Sequence, residues 1–172
     1  MRASLGRERL LAADAKDEPR KGPADGTGFL VWRVANLWQK QQRRALEAAG
    51  LTPVQYLLLA GLTHLTETTA APVTQVALAL HCRTDPMMTS QVLRALAQHG
   101  LIRRRAHRGD GRAMAILPTA AGRAKARTAD TAVQAADMAF FGSLGEDEAL
   151  FADVLRLLSG ERPRRRVKAG RR

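Results

Sequence analysis

Apolar positions recur along most of this chain at the three-and-four spacing of amphipathic helices, and the stretch where that spacing gives way organises the rest. Thr84 to Thr119 reads as a helix, a strand, a tight turn and a second strand. In the helix, Met88, Val92 and Leu96, with Leu93 beside them, form one apolar stripe, while Met87, Ser90, Gln91 and Arg94 fall on the opposite face. Asp85 is placed to cap its first turn, and Pro86 takes the first helical position, where a missing N–H costs nothing. Gly100 follows the last turn as a stop. Leu101 to Ala106 then reads as a strand, His107-Arg108-Gly109-Asp110-Gly111 as a hairpin turn, and Arg112 to Leu117 as the returning strand.

The pattern on either side predicts further helices. Phe29 to Ala49 carries Phe29, Leu30, Trp32, Val34, Leu37 and Trp38 on more than one face, so it needs more than one neighbour; a central core helix and a subunit interface both satisfy that pattern. Thr52-Pro53-Val54-Gln55 has the form of a capping box and opens a helix to about Leu65, after which Thr66 to Pro72 reads as a loop. Thr74 caps a short helix to His81, with Val76, Ala77 and Leu80 expected inward, and Cys82-Arg83 turns the chain into the helix at Asp85. Two short helices joined this way make a helix-turn-helix, and the hairpin behind them makes it winged. An alanine-rich helix follows from Thr119 to about Phe141, and a last one from Glu146 to Leu158 is striped by Leu150, Phe151, Val154, Leu155 and Leu158.

The expected fold is mainly α: a winged helix-turn-helix with a two-stranded β wing at about 52–118, flanked by N- and C-terminal helices (28–49 and 119–158) too apolar to sit alone on a surface. Such helices would form a dimerisation domain between two copies. Residues 1–27 and 159–172 are expected to be a mixed-charge arm and a basic tail without fixed structure.

Composition sharpens this picture. The 172 residues suffice for one domain, and 45% hydrophobic content weighted to Ala and Leu, with 4% aromatics, favours helix over sheet. A formal net charge of +12 favours a polyanionic partner, nucleic acid before membrane, although the tails contribute to the total. Cys82 is alone, which excludes an internal disulfide and fits a reducing, cytoplasmic setting. No apolar run reaches the roughly 18 residues of a membrane span. An enzyme is not expected: there is no phosphate-binding glycine loop, nucleophile elbow or HExxH, and Gly109-Asp110-Gly111 is too short to hold a nucleotide. His64, His81, Cys82, His99 and His107 show no metal-ligand spacing, and no cofactor is implied.

The candidate chemistry is recognition of double-stranded DNA. On the predicted reading helix, Gln91 matches adenine and Arg94 matches guanine or a phosphate. Thr84, Thr89 and Ser90 offer hydroxyls, and Met87 an apolar surface for a thymine methyl. The same residues also fit a plain solvated helix face, but that reading leaves the clustering of charge in the hairpin unexplained. There Arg103, Arg105, Arg108 and Arg112, with His107 and Asp110 at the turn, suit phosphate and minor-groove contacts. Alternation puts Arg104 on the other side of the strand from Arg103 and Arg105. Trp38, Tyr56 and His64 either line a pocket for a small aromatic effector or simply pack the core.

The segment Val73 to Gly122, with VTQVALAL, VLRALAQHGLIRR, RGDGRA and LPTAAG, resembles the MarR family of transcriptional regulators, and the likeness extends over roughly 29–158. Asp110 and Arg112 match the family's D-x-R wing element. Leu117, Thr119 and Gly122 approximate its L-T-x-x-G ending, with Pro118 inserted. The resemblance implies a homodimer on a palindromic operator, with reading helices in major grooves and wings in adjacent minor grooves. It also implies Ser90 at a position often held by threonine, Asp110 orienting the wing arginines, Arg112 in the minor groove, and a pocket for phenolic or similar ligands. Asp85, Pro86 and Met87 depart from the pattern, so no base preference carries over. The family's peroxide sensors use a cysteine in the first helix; this chain has none there, and Cys82 inherits no redox role. The expected function is a ligand- or stress-responsive repressor, the alternative a non-specific architectural nucleic-acid binder.

Overall fold

The computed structural model describes residues 26–107 and 110–161, apart from the side chains of 107–113. These residues divide into two compact units, one up to Trp38 and one from Gln39. The elements in chain order are α1 (Thr27–Leu46), α2 (Pro53–Thr68), α3 (Gln75–Cys82), α4 (Pro86–Gln98), β1 (Ile102–His107), β2 (Asp110–Pro118), α5 (Ala120–Phe141), a 3-10 segment (Gly142–Asp147) and α6 (Glu148–Leu158). The expected arm and tail, save for 26–27 and 159–161, lie outside the described residues.

Local chemistry sets most helix starts. Thr52 accepts from the Gln55 amide while the Gln55 side chain accepts from the Thr52 amide, closing the capping box before Pro53. Thr74 caps α3 through the Ala77 amide, Asp85 caps α4 through the Met88 amide, and Thr119 caps α5 through the Gly122 amide. Helix α2 outlasts its predicted end at Leu65 and reaches Thr68. The hydroxyls of Thr63, Thr66 and Thr68 bond back to the carbonyls of Leu59, Leu62 and His64, so these residues decorate a helix rather than opening a loop.

The core of the second unit gathers Leu46, Leu58, Leu59, Leu62, Leu78, Leu93, Leu96, Ile102, Ile116, Ala126, Ala129 and Val133, drawn from α1 through α5. The last turns of α1 are tied to α5 by Gln41 Nε2 on the Ala136 carbonyl (2.9 Å) and by buried Gln42, whose Nε2 donates to Asp137 Oδ1 at 2.6 Å. Lys125 Nζ donates to the Ala49 carbonyl at 2.8 Å.

The wing is an antiparallel pair in which Ile102 faces Pro118, Arg103 faces Leu117, Arg104 faces Ile116 and Arg105 faces Ala115, with an irregularity between Ala106 and His107. A third piece of backbone, lying between the expected loop end at Pro72 and the start of α3 and not expected to join the sheet, extends it. The Ile116 amide donates to the Val73 carbonyl at 2.8 Å, and Thr74 bridges Ala115. The base of β2 is thus held against the chain entering α3.

Gly122 fixes how α5 leaves the wing. A Cβ on it would strike the Leu101 carbonyl, so only glycine lets the first turn of α5 lie on the backbone that leads from α4 into β1. Thr119 bonds the same corner, its amide donating to the Leu101 carbonyl (2.9 Å) and its hydroxyl to the Gly100 carbonyl (2.8 Å). The Thr119 to Gly122 spacing is therefore a docking device for a helix N-terminus.

Two facings depart from expectation. In α3, Leu78 and Ala79 are buried, whereas Val76, Ala77 and Leu80, expected inward, are exposed. The segment is apolar on nearly every side, so periodicity singled out no face, and packing against α2, α4 and β2 chose Leu78. In α4 the inward stripe is Thr89, Leu93 and Leu96, rotated from the expected one so that Met88 sits at its margin.

Candidate nucleic-acid interface

Helix α3, the turn at Arg83-Thr84 and helix α4 form the helix-turn-helix, and α4 passes directly into β1. On the outer face of α4, Met87 is 75% exposed, and Gln91 and Arg94 are also exposed. Ser90 is half-buried beside them, its carbonyl accepting from Arg94 Nε at 3.4 Å. These four are the part of the predicted reading set that the fold presents together.

Thr89 does not belong to that set. It is fully buried, and its hydroxyl donates to the Asp85 carbonyl at 2.7 Å and pairs with Thr84 Oγ1 at 2.8 Å. A threonine can occupy a core position when its hydroxyl is satisfied in this way, which is why the more apolar Met88 was displaced to the margin. The Thr84 hydroxyl is engaged by the same contact, so Thr84 and Thr89 hold the start of α4 to the turn rather than offering hydroxyls outward.

In the wing, Arg103, Arg104 and Arg105 are all exposed. Arg103 and Arg105 share one face. Arg104 lies on the face of Ile116, towards the tip and beyond the buried Ile102–Pro118 end. The ion pair found among the described residues is Arg156–Asp153 in α6, so no described carboxylate neutralises the arginines of α4 or β1. Arg108 lies outside the described residues, as do the side chains of His107, Asp110 and Arg112.

The three candidate effector residues belong to two different units. Trp38 ends the first unit, while Tyr56 and His64 belong to the second. The Tyr56 hydroxyl donates to Asp130 Oδ1 at 2.6 Å, and Gln134 Nε2 donates to Asp130 Oδ2 at 2.7 Å. Burial, then the bond to Asp130, hold the Tyr56 phenol well above the usual tyrosine range. His64 is exposed and stacks on His81 across α2 and α3, with ring centroids 5.8 Å apart. It also lines an open depression of about 380 Å³ with Gly61, Thr63, Glu67, Ala126, Arg127 and Asp130. Cys82 is half-buried against Gly61, where a Cβ would come within 2.7 Å of its sulfur, and burial raises its thiol pKa.

A helix-turn-helix followed by a cationic two-stranded wing defines the class: a winged-helix regulator. The chain belongs to the MarR family, whose model matches residues 51–114. It is 33% identical over 140 residues to the HTH-type transcriptional regulator YdcH of Bacillus subtilis, covering 81% of this chain and 95% of that one. It is 33% identical over 110 residues to the HTH-type transcriptional repressor Rv2887 of Mycobacterium tuberculosis, covering 64% of this chain and 76% of the relative. Among solved structures it is similar to CouR of Rhodococcus jostii bound to p-coumaroyl-CoA, with TM-score 0.69 and 25% identity over 81% of this chain and 95% of that one. It is also similar to Rv2887 in complex with DNA, with TM-score 0.59 and 26% identity over 77% and 97% of the respective chains.

Proposed function

We propose that this transcriptional regulator is a homodimeric, sequence-specific repressor that acts in the cytoplasm on an inverted-repeat operator and is released by a small aromatic effector. The observation that carries DNA reading is the exposed set Met87, Gln91 and Arg94 on α4, continuous in chain with a β1 strand whose three arginines meet no described carboxylate. Gln91 and Arg94 would read base edges or phosphates in the major groove. The wing, through Arg103, Arg105, Arg108 and Arg112, would follow the backbone into the minor groove. That the similar Rv2887 was solved in complex with DNA supports DNA as the partner.

Dimerisation is supported within each unit separately. In the first, Leu30, Val31, Trp32 and Leu37 are exposed along α1. In the second, α6 buries none of its residues and exposes Leu150, Val154, Leu155, Leu157 and Leu158. Apolar runs of this length on terminal helices favour a partner surface. An aromatic effector is supported by CouR, whose ligand is an aromatic acyl thioester. Its site would lie in the second unit, at the open depression beside His64 and Asp130.

Selection of binding sites from random duplexes at physiological salt tests the reading. Enrichment of an inverted repeat with half-sites about one helical turn apart is the expected result. Binding without enrichment that collapses as salt rises would favour the non-specific architectural reading, which the +12 charge also fits. On the selected operator, aromatic acids and their coenzyme A thioesters should include a compound that releases the protein; no release across such a panel would remove the effector from the proposal.

A further inference from the structure

Arg83 is the one non-glycine residue with positive φ among the described residues, at φ 52° and ψ 41°. It closes α3: the Arg83 amide reaches the Ala79 and Leu80 carbonyls, and the Thr84 amide donates to the Ala79 carbonyl at 3.0 Å. That closure asks for a left-handed residue, the position where glycine is cheapest and a long side chain carries a steric cost. The Arg83 side chain returns nothing to the fold: it is exposed and makes no hydrogen bond or ion pair among the described residues, and the nearby Asp85 carboxylate caps α4 instead. A second observation lies beside it. Arg83 stands on the wall of a groove of about 260 Å³ lined by Gln75, Val76, Ala79, Leu80, Thr84 and Pro86 and apolar over nearly all its surface. Val76 and Leu80, 69% and 67% exposed, are two of the three residues of α3 that sequence pattern expected inward.

We propose that this groove is a clamp for one sugar–phosphate unit of the DNA backbone, with the Arg83 guanidinium on the phosphate and Val76 and Leu80 against the deoxyribose. A cation beside an apolar trough matches the alternation of anionic phosphate and apolar sugar along a strand. The clamp sits at the turn between α3 and α4, so it would set the depth and register of the reading helix without contributing base preference. The proposal rests on the DNA-binding reading above.

The test compares wild type, Arg83→Gly, Arg83→Asn, Arg83→Lys and Leu80→Gln on the selected operator and on unrelated duplexes across a salt series. Arg83→Gly and Arg83→Asn both accept the left-handed backbone, and neither should lower the melting temperature. Both should lose about three- to tenfold in affinity for every sequence alike, with the slope of log K against log salt reduced by about 1. Arg83→Lys should retain the slope. Leu80→Gln should lose affinity with the slope unchanged. Wild-type binding with an unaltered slope in Arg83→Gly and Arg83→Asn would overturn the clamp while leaving the regulator reading intact. A changed operator preference in those variants would assign Arg83 to base reading and overturn it as well. Absence of wild-type binding to any duplex would overturn both.

Discussion

Gly122 shows how one residue decides a junction. Its missing side chain lets α5 rest on the Leu101 carbonyl, so Gly122→Ala forces backbone apart at the corner between wing and helix. A loss of about 1–3 kcal/mol is expected from such overpacking, read by chemical denaturation; an unchanged midpoint would show that the corner yields freely. Tyr56 makes a pH prediction whose sign follows from its raised pKa. In the unfolded chain the phenol ionises near pH 10, while in the fold it stays protonated against Asp130. The folded state therefore holds its proton more tightly, and this contribution is present below about pH 10 and lost as pH rises beyond it. Tyr56→Phe should cost about 1 kcal/mol at neutral pH and flatten the alkaline decline; parallel stability curves for the two proteins would refute the coupling. Cys82 is raised by burial and packed on Gly61, so it should alkylate more slowly than a free thiol at pH 7.5. Reaction as fast as free cysteine would show the pocket to be open.

At the scale of elements, capping chemistry was legible because it is local. Thr52, Thr74 and Asp85 act within three residues of themselves, and each capped the helix expected of it. Facing was legible only where a helix has two unlike sides. Helix α4 was misjudged by part of a turn, because Thr89 buries its hydroxyl on Asp85 and Thr84, contacts that no hydrophobicity pattern reveals. Helix α3 carried no facing signal at all. The exposed side of α6 makes the dimer prediction. Leu155→Glu places a charge among Val154, Leu157 and Leu158 and should shift sedimentation from dimer to monomer at micromolar concentration, with operator affinity falling in step. A variant that still sediments as a dimer would move the interface elsewhere.

For the whole molecule, charge is the property that acts at a distance. The basic residues of 162–172 are expected to add sequence-independent attraction. Removing them should weaken binding to operator and to unrelated DNA by the same factor and lower the salt slope. A change in operator preference on truncation would show that the tail reads sequence.

Helix starts, the hairpin, the chain order of a winged helix-turn-helix and the cationic wing follow from neighbours in sequence, because caps, turns and periodicity act over a few residues. The burial of Thr89, the outward Val76 and Leu80, the Val73–Thr74 addition to the sheet and the bond from Tyr56 to Asp130 arise between elements distant in the chain. Those contacts depend on which residue finds a satisfied partner when the elements pack. For the same reason the left-handed turn at Arg83 became visible only when α3 closed on its own carbonyls and left the guanidinium facing solvent.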